Sequence, residues 1–146
     1  MSDTQRYFED VTEGDNLPPR ERTVSHVQLF LFSAITRNPH RIHYDLPFAH
    51  AEDHPDVLVH GPLHGAMLSA YVVDWIGPRG WLRRFGYQNR GRATPQDTLI
   101  FKGRVTRAYR EEGRCLVDLD VWEENQDGHV NVPGHATVEL PSRGAA

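Results

Sequence analysis

The chain has 146 residues with a formal net charge of −4, 25% of them charged and 38% hydrophobic, the size and make-up of one ordinary globular domain rather than of a disordered or fibrous chain. The acidic balance disfavours nucleic acid as a partner. No window approaches 18 uninterrupted apolar residues, and the start MSDTQRYFED lacks the basic flank and apolar run of an export signal, so a cytoplasmic, membrane-free single domain over residues 1–146 is expected.

Residues 1–24 are polar and turn-rich, with Gly14-Asp15-Asn16 and Pro18-Pro19, and read as an irregular lead-in with one short strand. Ser25 followed by Gln28 reads as a capping box. After it, Val27, Phe30, Leu31, Ala34 and Ile35 fall at helical spacing on one face, predicting a helix that ends near Thr36. Residues 37–60 hold five of the nine histidines together with Pro39, Pro47 and Pro55. They show neither helical nor strand period and are predicted to form a long loop, which in a compact domain is usually functional. Gly61 as N-cap with Pro62 at the first helical position opens a second helix. It continues through Leu63, Ala66, Met67, Ala70 and Tyr71, with Val72, Val73 and Trp75 on other faces, to Gly77-Pro78, and should be buried. From residue 81 the period changes to two. Leu99, Phe101 and Val105 form one alternating run, Val117, Leu119 and Val121 a second, and Ala136, Val138 and Leu140 a third, with Asp127-Gly128 as a hairpin turn before the last. Cys115, the single cysteine, falls in such a strand as a small buried hydrophobe.

Two motifs concentrate the chemistry: Asn38-Pro39-His40-Arg41-Ile42-His43-Tyr44-Asp45 and Leu58-Val59-His60-Gly61-Pro62-Leu63. The first offers a histidine able to carry a proton near pH 7, the second a helix start whose N–H groups suit a developing anion. With these motifs the chain resembles the MaoC-like hydratases and dehydratases of the hot-dog fold, and within them the branch of type 2 3-hydroxyacyl-thioester dehydratases and mesaconyl- and itaconyl-CoA hydratases. The resemblance implies an α+β domain in which an antiparallel sheet wraps a central helix. It implies a hydro-lyase acting across the double bond of an α,β-unsaturated acyl thioester carried on coenzyme A or an acyl carrier protein, with no metal or redox cofactor, and a homodimer or higher homo-oligomer.

In the wider family an aspartate five residues before the histidine shares the work on water; here that position is Asn38. An amide cannot take a proton, so His43 becomes the candidate sole base and Asn38 a positioning group. Asp45 is a candidate orienter of His43, and His40 a cap of the loop. The resemblance makes Gly61 the N–H donor to an enolate oxygen, although Leu63 and His64 also lie in the first turn and Pro62 has no N–H. Arg41, His60, Leu63, Ser69 and Arg92 are candidate substrate-binding residues. Ser69 lies two turns along from Gly61, and Gly65 marks a close approach of a second backbone or the acyl chain. Arg79, Arg83, Arg84, Arg90 and Arg92 read either as a coenzyme A phosphate patch or as a solvated strand face. His60 and His64 have zinc-compatible i, i+4 spacing, but no Glu follows His60, so no metal is expected. The rival readings are a hot-dog thioesterase, disfavoured by the missing carboxylate at 38, and a non-catalytic acyl-thioester-binding subunit.

Overall fold

A polar lead-in becomes strand β1, Asn16–Arg22, after one 3-10 turn at Phe8–Asp10; the computed structural model describes residues 4–144, so residues 1–3 of that lead-in lie outside the described residues. Helix α1 spans His26–Thr36, a second 3-10 turn Arg41–His43, α2 Leu46–Ala51 and α3 Gly61–Ile76. Strands β2 (Trp81–Tyr87), β3 (Leu99–Glu111), β4 (Arg114–Glu124) and β5 (Val130–Glu139) follow. The strands form one antiparallel sheet in the order β1-β3-β4-β5-β2.

Alternation builds one face of this sheet. Leu99, Phe101 and Val105 on β3, Val117, Leu119 and Val121 on β4, and Ala136 and Val138 on β5 are all buried, as their period of two requires. Helix α3 packs on that face through Leu68, Val72 and Ile76, and Tyr71 donates to the Pro18 carbonyl at 3.0 Å, tying the helix to β1. Glu112 and Gly113 join β3 to β4 with φ of 49° and 78°, the left-handed pair of a tight hairpin turn. Pro18-Pro19 interrupts the register between Leu17 and Arg20 on β1, an edge strand where missing N–H donors are tolerated. Gly65 is where the Tyr87 ring crosses α3. A Cβ there would lie 2.2 Å from the ring, so the close approach is a side chain rather than a backbone or acyl chain.

The structure departs from the sequence reading in two places. Residues 37–60 are not one long loop: Asp45 caps Phe48 N–H at 3.1 Å with a proline in the first turn, and this local chemistry forms α2 without any apolar period. Helix α3 begins at Gly61 with His60 as its N-cap, and Ala66 and Ala70 of its expected buried face are exposed. Helix α1 forms where its spacing predicts and turns its apolar stripe outward. Leu29 and Ser33 face the core, while Val27, Phe30, Leu31 and Ile35 are 67%, 57%, 51% and 80% exposed. Periodicity reports that a face is apolar, not which chain covers it.

Candidate active site

Helix α1 ends at Arg37, whose φ of 53° reverses the chain and lets Asn38 N–H reach the Ser33 carbonyl at 2.9 Å. The chain then turns through Arg41–His43 and is held by a two-point clamp. Leu58 N–H donates to the Ile42 carbonyl at 2.9 Å, and His43 Nδ1 lies 2.8 Å from the Leu58 carbonyl. A carbonyl oxygen can only accept, so Nδ1 carries the proton and Nε2 is left with its lone pair. Nε2 has no hydrogen-bond partner among the described residues. Burial of the ring pulls the His43 pKa below the usual 6.5; the Leu58 bond opposes the shift and the nearby His40 adds to it. The result is a neutral imidazole in the tautomer of a general base.

The His43 ring stacks on that of His60, with centroids 3.8 Å apart and planes 19° from parallel. His60 is fully buried. Its Nε2 lies 2.8 Å from Ser33 Oγ, the Phe32 ring meets it edge-on, and its Nδ1 is buried with no partner. Desolvation, with the nearby His43 and His64, pushes its pKa down to about 4.

The next peptide N–H after His60 is that of Gly61. Leu63 and His64 donate at 2.9 and 3.1 Å to the His60 carbonyl, and Pro62 has none to give, so of the candidate donors Gly61 alone is unspent among the described residues. The positive end of a 16-residue helix stands behind it. The first turn is pinned to the sheet by a buried pair in which His64 Nδ1 lies 2.7 Å from Glu123 Oε2 on β4. A groove of about 400 Å³ opens between α1 and the loop, lined by Phe30, Ser33, Ala34, Asn38 and Tyr44, a volume within the range of small-molecule sites.

His43, Asn38 and Gly61 are thus brought to one region, joined through Ser33 and His60. Asn38 borders the groove with its Oδ1 accepting from His40 N–H at 3.2 Å. The other candidates are placed differently. Arg41 spends Nε and Nη2 on Asp45 at 2.9 and 2.6 Å, so Asp45 braces Arg41 and caps α2 instead of orienting His43. His40 caps the 3-10 turn at Ile42 N–H. His60 lies behind His43 with no exposed surface, and Leu63 is a core residue. Ser69 donates to the Ala66 carbonyl of its own helix at 2.9 Å rather than to the catalytic loop. Arg92 meets His54 Nδ1 at 3.1 Å.

The arginine run does not form one patch. Arg79 and Arg83 lie at the start of β2, on Tyr7 and Glu139, while Arg90 and Arg92 follow its end, roughly 20 Å further along a seven-residue strand. His60 and His64 point their bonded nitrogens at Ser33 and Glu123, and among the described residues no three His, Cys, Asp or Glu side chains form a metal-binding group. No described helix is long and apolar enough to cross a membrane.

Sequence reasoning missed Ser33, Glu123 and the Leu58 carbonyl. Glu123 was within reach, because the inward alternation Val117, Leu119, Val121 continues to it. Ser33 and the carbonyl carry no sequence signal that distinguishes them.

The fold and both motifs have counterparts among known proteins. The solved structures it resembles include the R-hydratase PhaJ1 of Pseudomonas aeruginosa, with TM-score 0.84, 20% identity, and coverage of 94% of this chain and 86% of that one. The (R)-hydratase from A. caviae involved in PHA biosynthesis has TM-score 0.80, 19% identity, and coverage of 91% and 99%. The ChsH1-ChsH2 complex of Mycobacterium tuberculosis has TM-score 0.75, 23% identity, and coverage of 88% and 98%. At these identities the likeness establishes the hot-dog fold. In sequence, 41 residues are 58% identical to the mesaconyl-C(4)-CoA hydratase of Chloroflexus aurantiacus, a match spanning 27% of this chain but 15% of that protein. A family model covers residues 4–94, both motifs included, and the chain therefore belongs to the family of type 2 hydroxyacyl-thioester dehydratases.

Proposed function

We propose that the protein is a hydro-lyase that adds water to, or removes it from, an α,β-unsaturated acyl thioester through His43 and the Gly61 N–H. The observation that carries this reading is the stacking of His43 on His60, the residue joined by its peptide bond to Gly61, which sets a base with a bare Nε2 beside an unspent helix-terminal donor. In the hydration direction Nε2 takes a proton from water as oxygen bonds to the β-carbon. The electron pair of the double bond moves toward the thioester oxygen, where the Gly61 N–H and helix end stabilise the enolate. The imidazolium so formed is then the proton source for the α-carbon, returning His43 to its starting state. Asn38, which cannot accept that proton, holds water or substrate at the groove edge.

The chemistry runs on an imidazole and a peptide N–H, and the reading calls for no metal or redox group. We place the substrate among short acyl-CoA thioesters on the strength of the mesaconyl-C(4)-CoA hydratase match. The outward stripe of α1 borders that groove through Phe30, and an exposed apolar patch of this kind supports a homodimer that covers it.

The deciding experiment incubates the purified chain with crotonyl-, mesaconyl- and itaconyl-CoA while ultraviolet absorbance and free thiol are followed. Loss of the conjugated chromophore without thiol release is the expected result. Thiol release identifies a thioesterase, and no change with retained binding a non-catalytic module; either outcome refutes the proposal.

A further inference from the structure

Of the groups around the base, one has chemistry that packing does not explain. His60 is completely buried, bonds through one nitrogen to Ser33 Oγ, and leaves the other without a partner. An unmet buried polar group is destabilising, and an apolar side chain of similar volume would avoid the penalty. Yet the ring does not reach the surface and so does not touch substrate. What it does touch is the face of His43, at 3.8 Å and nearly parallel.

We propose that His60 is a positioning residue, its buried, Ser33-anchored ring being the face against which the His43 imidazole is held and which stabilises the positive charge that His43 acquires in turnover. The inference rests on the hydratase reading for the turnover step but not for the stacking itself. In the simplest tautomer Nε2–H donates to Ser33 Oγ, fixing the plane of the ring and leaving Nδ1 as a bare acceptor, a milder orphan than a buried N–H. Because desolvation holds the His60 pKa near 4, His60 stays neutral when His43 takes up its proton in turnover. A neutral aromatic face beside an imidazolium is attractive, where a second cation would repel it. The titratable groups about His43 are His40 on its own turn, with ring centroids 6.1 Å away, and His60, behind which lie His64 and Glu123; the Arg41–Asp45 pair stands on the exposed side.

The test compares His60→Leu and His60→Phe with the unmodified protein, reading the His43 titration by NMR of ¹⁵N-labelled histidine, the kcat and KM for enoyl-CoA hydration, and thermal unfolding. Leucine removes the ring face. It is expected to lower the His43 titration point by at least about half a unit, the size of a cation–aromatic contact. It should also lower kcat by at least about tenfold, with KM within about threefold, as for a misplaced catalytic group, while the melting temperature is unchanged or raised. Phenylalanine keeps the face and should recover more than half of both losses. A His60→Leu protein that titrates and turns over normally overturns the proposal, and so does a His60→Phe protein no better than His60→Leu. Should His60→Leu fail to fold, Ser33→Ala removes only the anchor and is expected to lower kcat in the same sense; an unchanged kcat there overturns it equally. The titration needs no substrate, so a chain that hydrates no enoyl thioester refutes the functional reading while leaving this inference to be judged by NMR.

Discussion

Gly61 gives the sharpest perturbation, because activity and stability should part company there. Replacing it with valine leaves the amide in place but adds a side chain beside it. The first atom of that side chain would lie 2.5 Å from Asn89 Nδ2, the far end of an exposed and flexible side chain that can swing aside. No backbone stands in the way and no left-handed φ is required at 61. Leaving a glycine at the start of a helix is itself mildly favourable, so the melting temperature should change by no more than a few degrees, equivalent to roughly 1 kcal/mol. Turnover should respond far more. With Leu63 and His64 committed to the His60 carbonyl, no other first-turn N–H can replace Gly61 once added bulk displaces the thioester oxygen. Loss of one such donor costs roughly 100-fold or more. The assay pairs thermal unfolding with the rate of enoyl-CoA hydration on one preparation. Normal hydration by the valine protein, or outright unfolding, would make Gly61 a packing glycine and refute the reasoning.

His43→Ala should remove about 100- to 10,000-fold of turnover, and Asn38→Ala less, with Asn38→Asp retaining activity; steady-state kinetics giving equal losses for the two alanine variants would show that they act as one unit. Because burial depresses the His43 pKa, the base stays neutral below 6.5, and the acid limb of kcat/KM should fall at a pH below that of a free histidine. Stability carries the same sign. His60 takes its proton at about 4 when folded against an ordinary 6.5, so the unfolded chain binds more protons between those values, and stability falls as pH drops through that window, by on the order of 3 kcal/mol at its lower end. Urea unfolding at stepped pH measures it, and a flat profile contradicts the burial of a neutral His60. If the proposed homodimer is built on the outward stripe of α1, Ile35→Asp, at the most exposed residue of that stripe, should leave monomers by sedimentation velocity with the far-ultraviolet spectrum unchanged. An unchanged sedimentation coefficient would contradict it.

How far the sequence foretold this arrangement depended on the range of each interaction. The β4 and β5 faces were legible because alternation is local, and Ser25 did cap α1, accepting from Gln28 N–H at 3.1 Å. His43 and Gly61 became candidates through two short motifs, Gly61 being preferred over Leu63 and His64 only by the family resemblance those motifs carry. Helix α2 was missed because six residues carry too little period, and only Asp45 with its proline announced it. The direction of the apolar stripe of α1 was not legible, because helical spacing looks the same whichever way the face is turned. The Ser33–His60 and His64–Glu123 contacts span 27 and 59 residues, and no local pattern links such partners.

The Leu58 carbonyl has a consequence for how this base can be altered. Where a carboxylate side chain orients a catalytic histidine, one substitution deletes it; here the orienting group is a peptide oxygen that every residue at position 58 would supply. A scan of side chains would pass over position 58 and find the tautomer intact. Only a change in the path of the main chain, such as a proline at 58 that abolishes the N–H bond to Ile42, can reach it. The reactive form of His43 is therefore written into the course of the backbone, sheltered from every side chain at position 58 that leaves the main chain in place and exposed to anything that shifts the segment before α3.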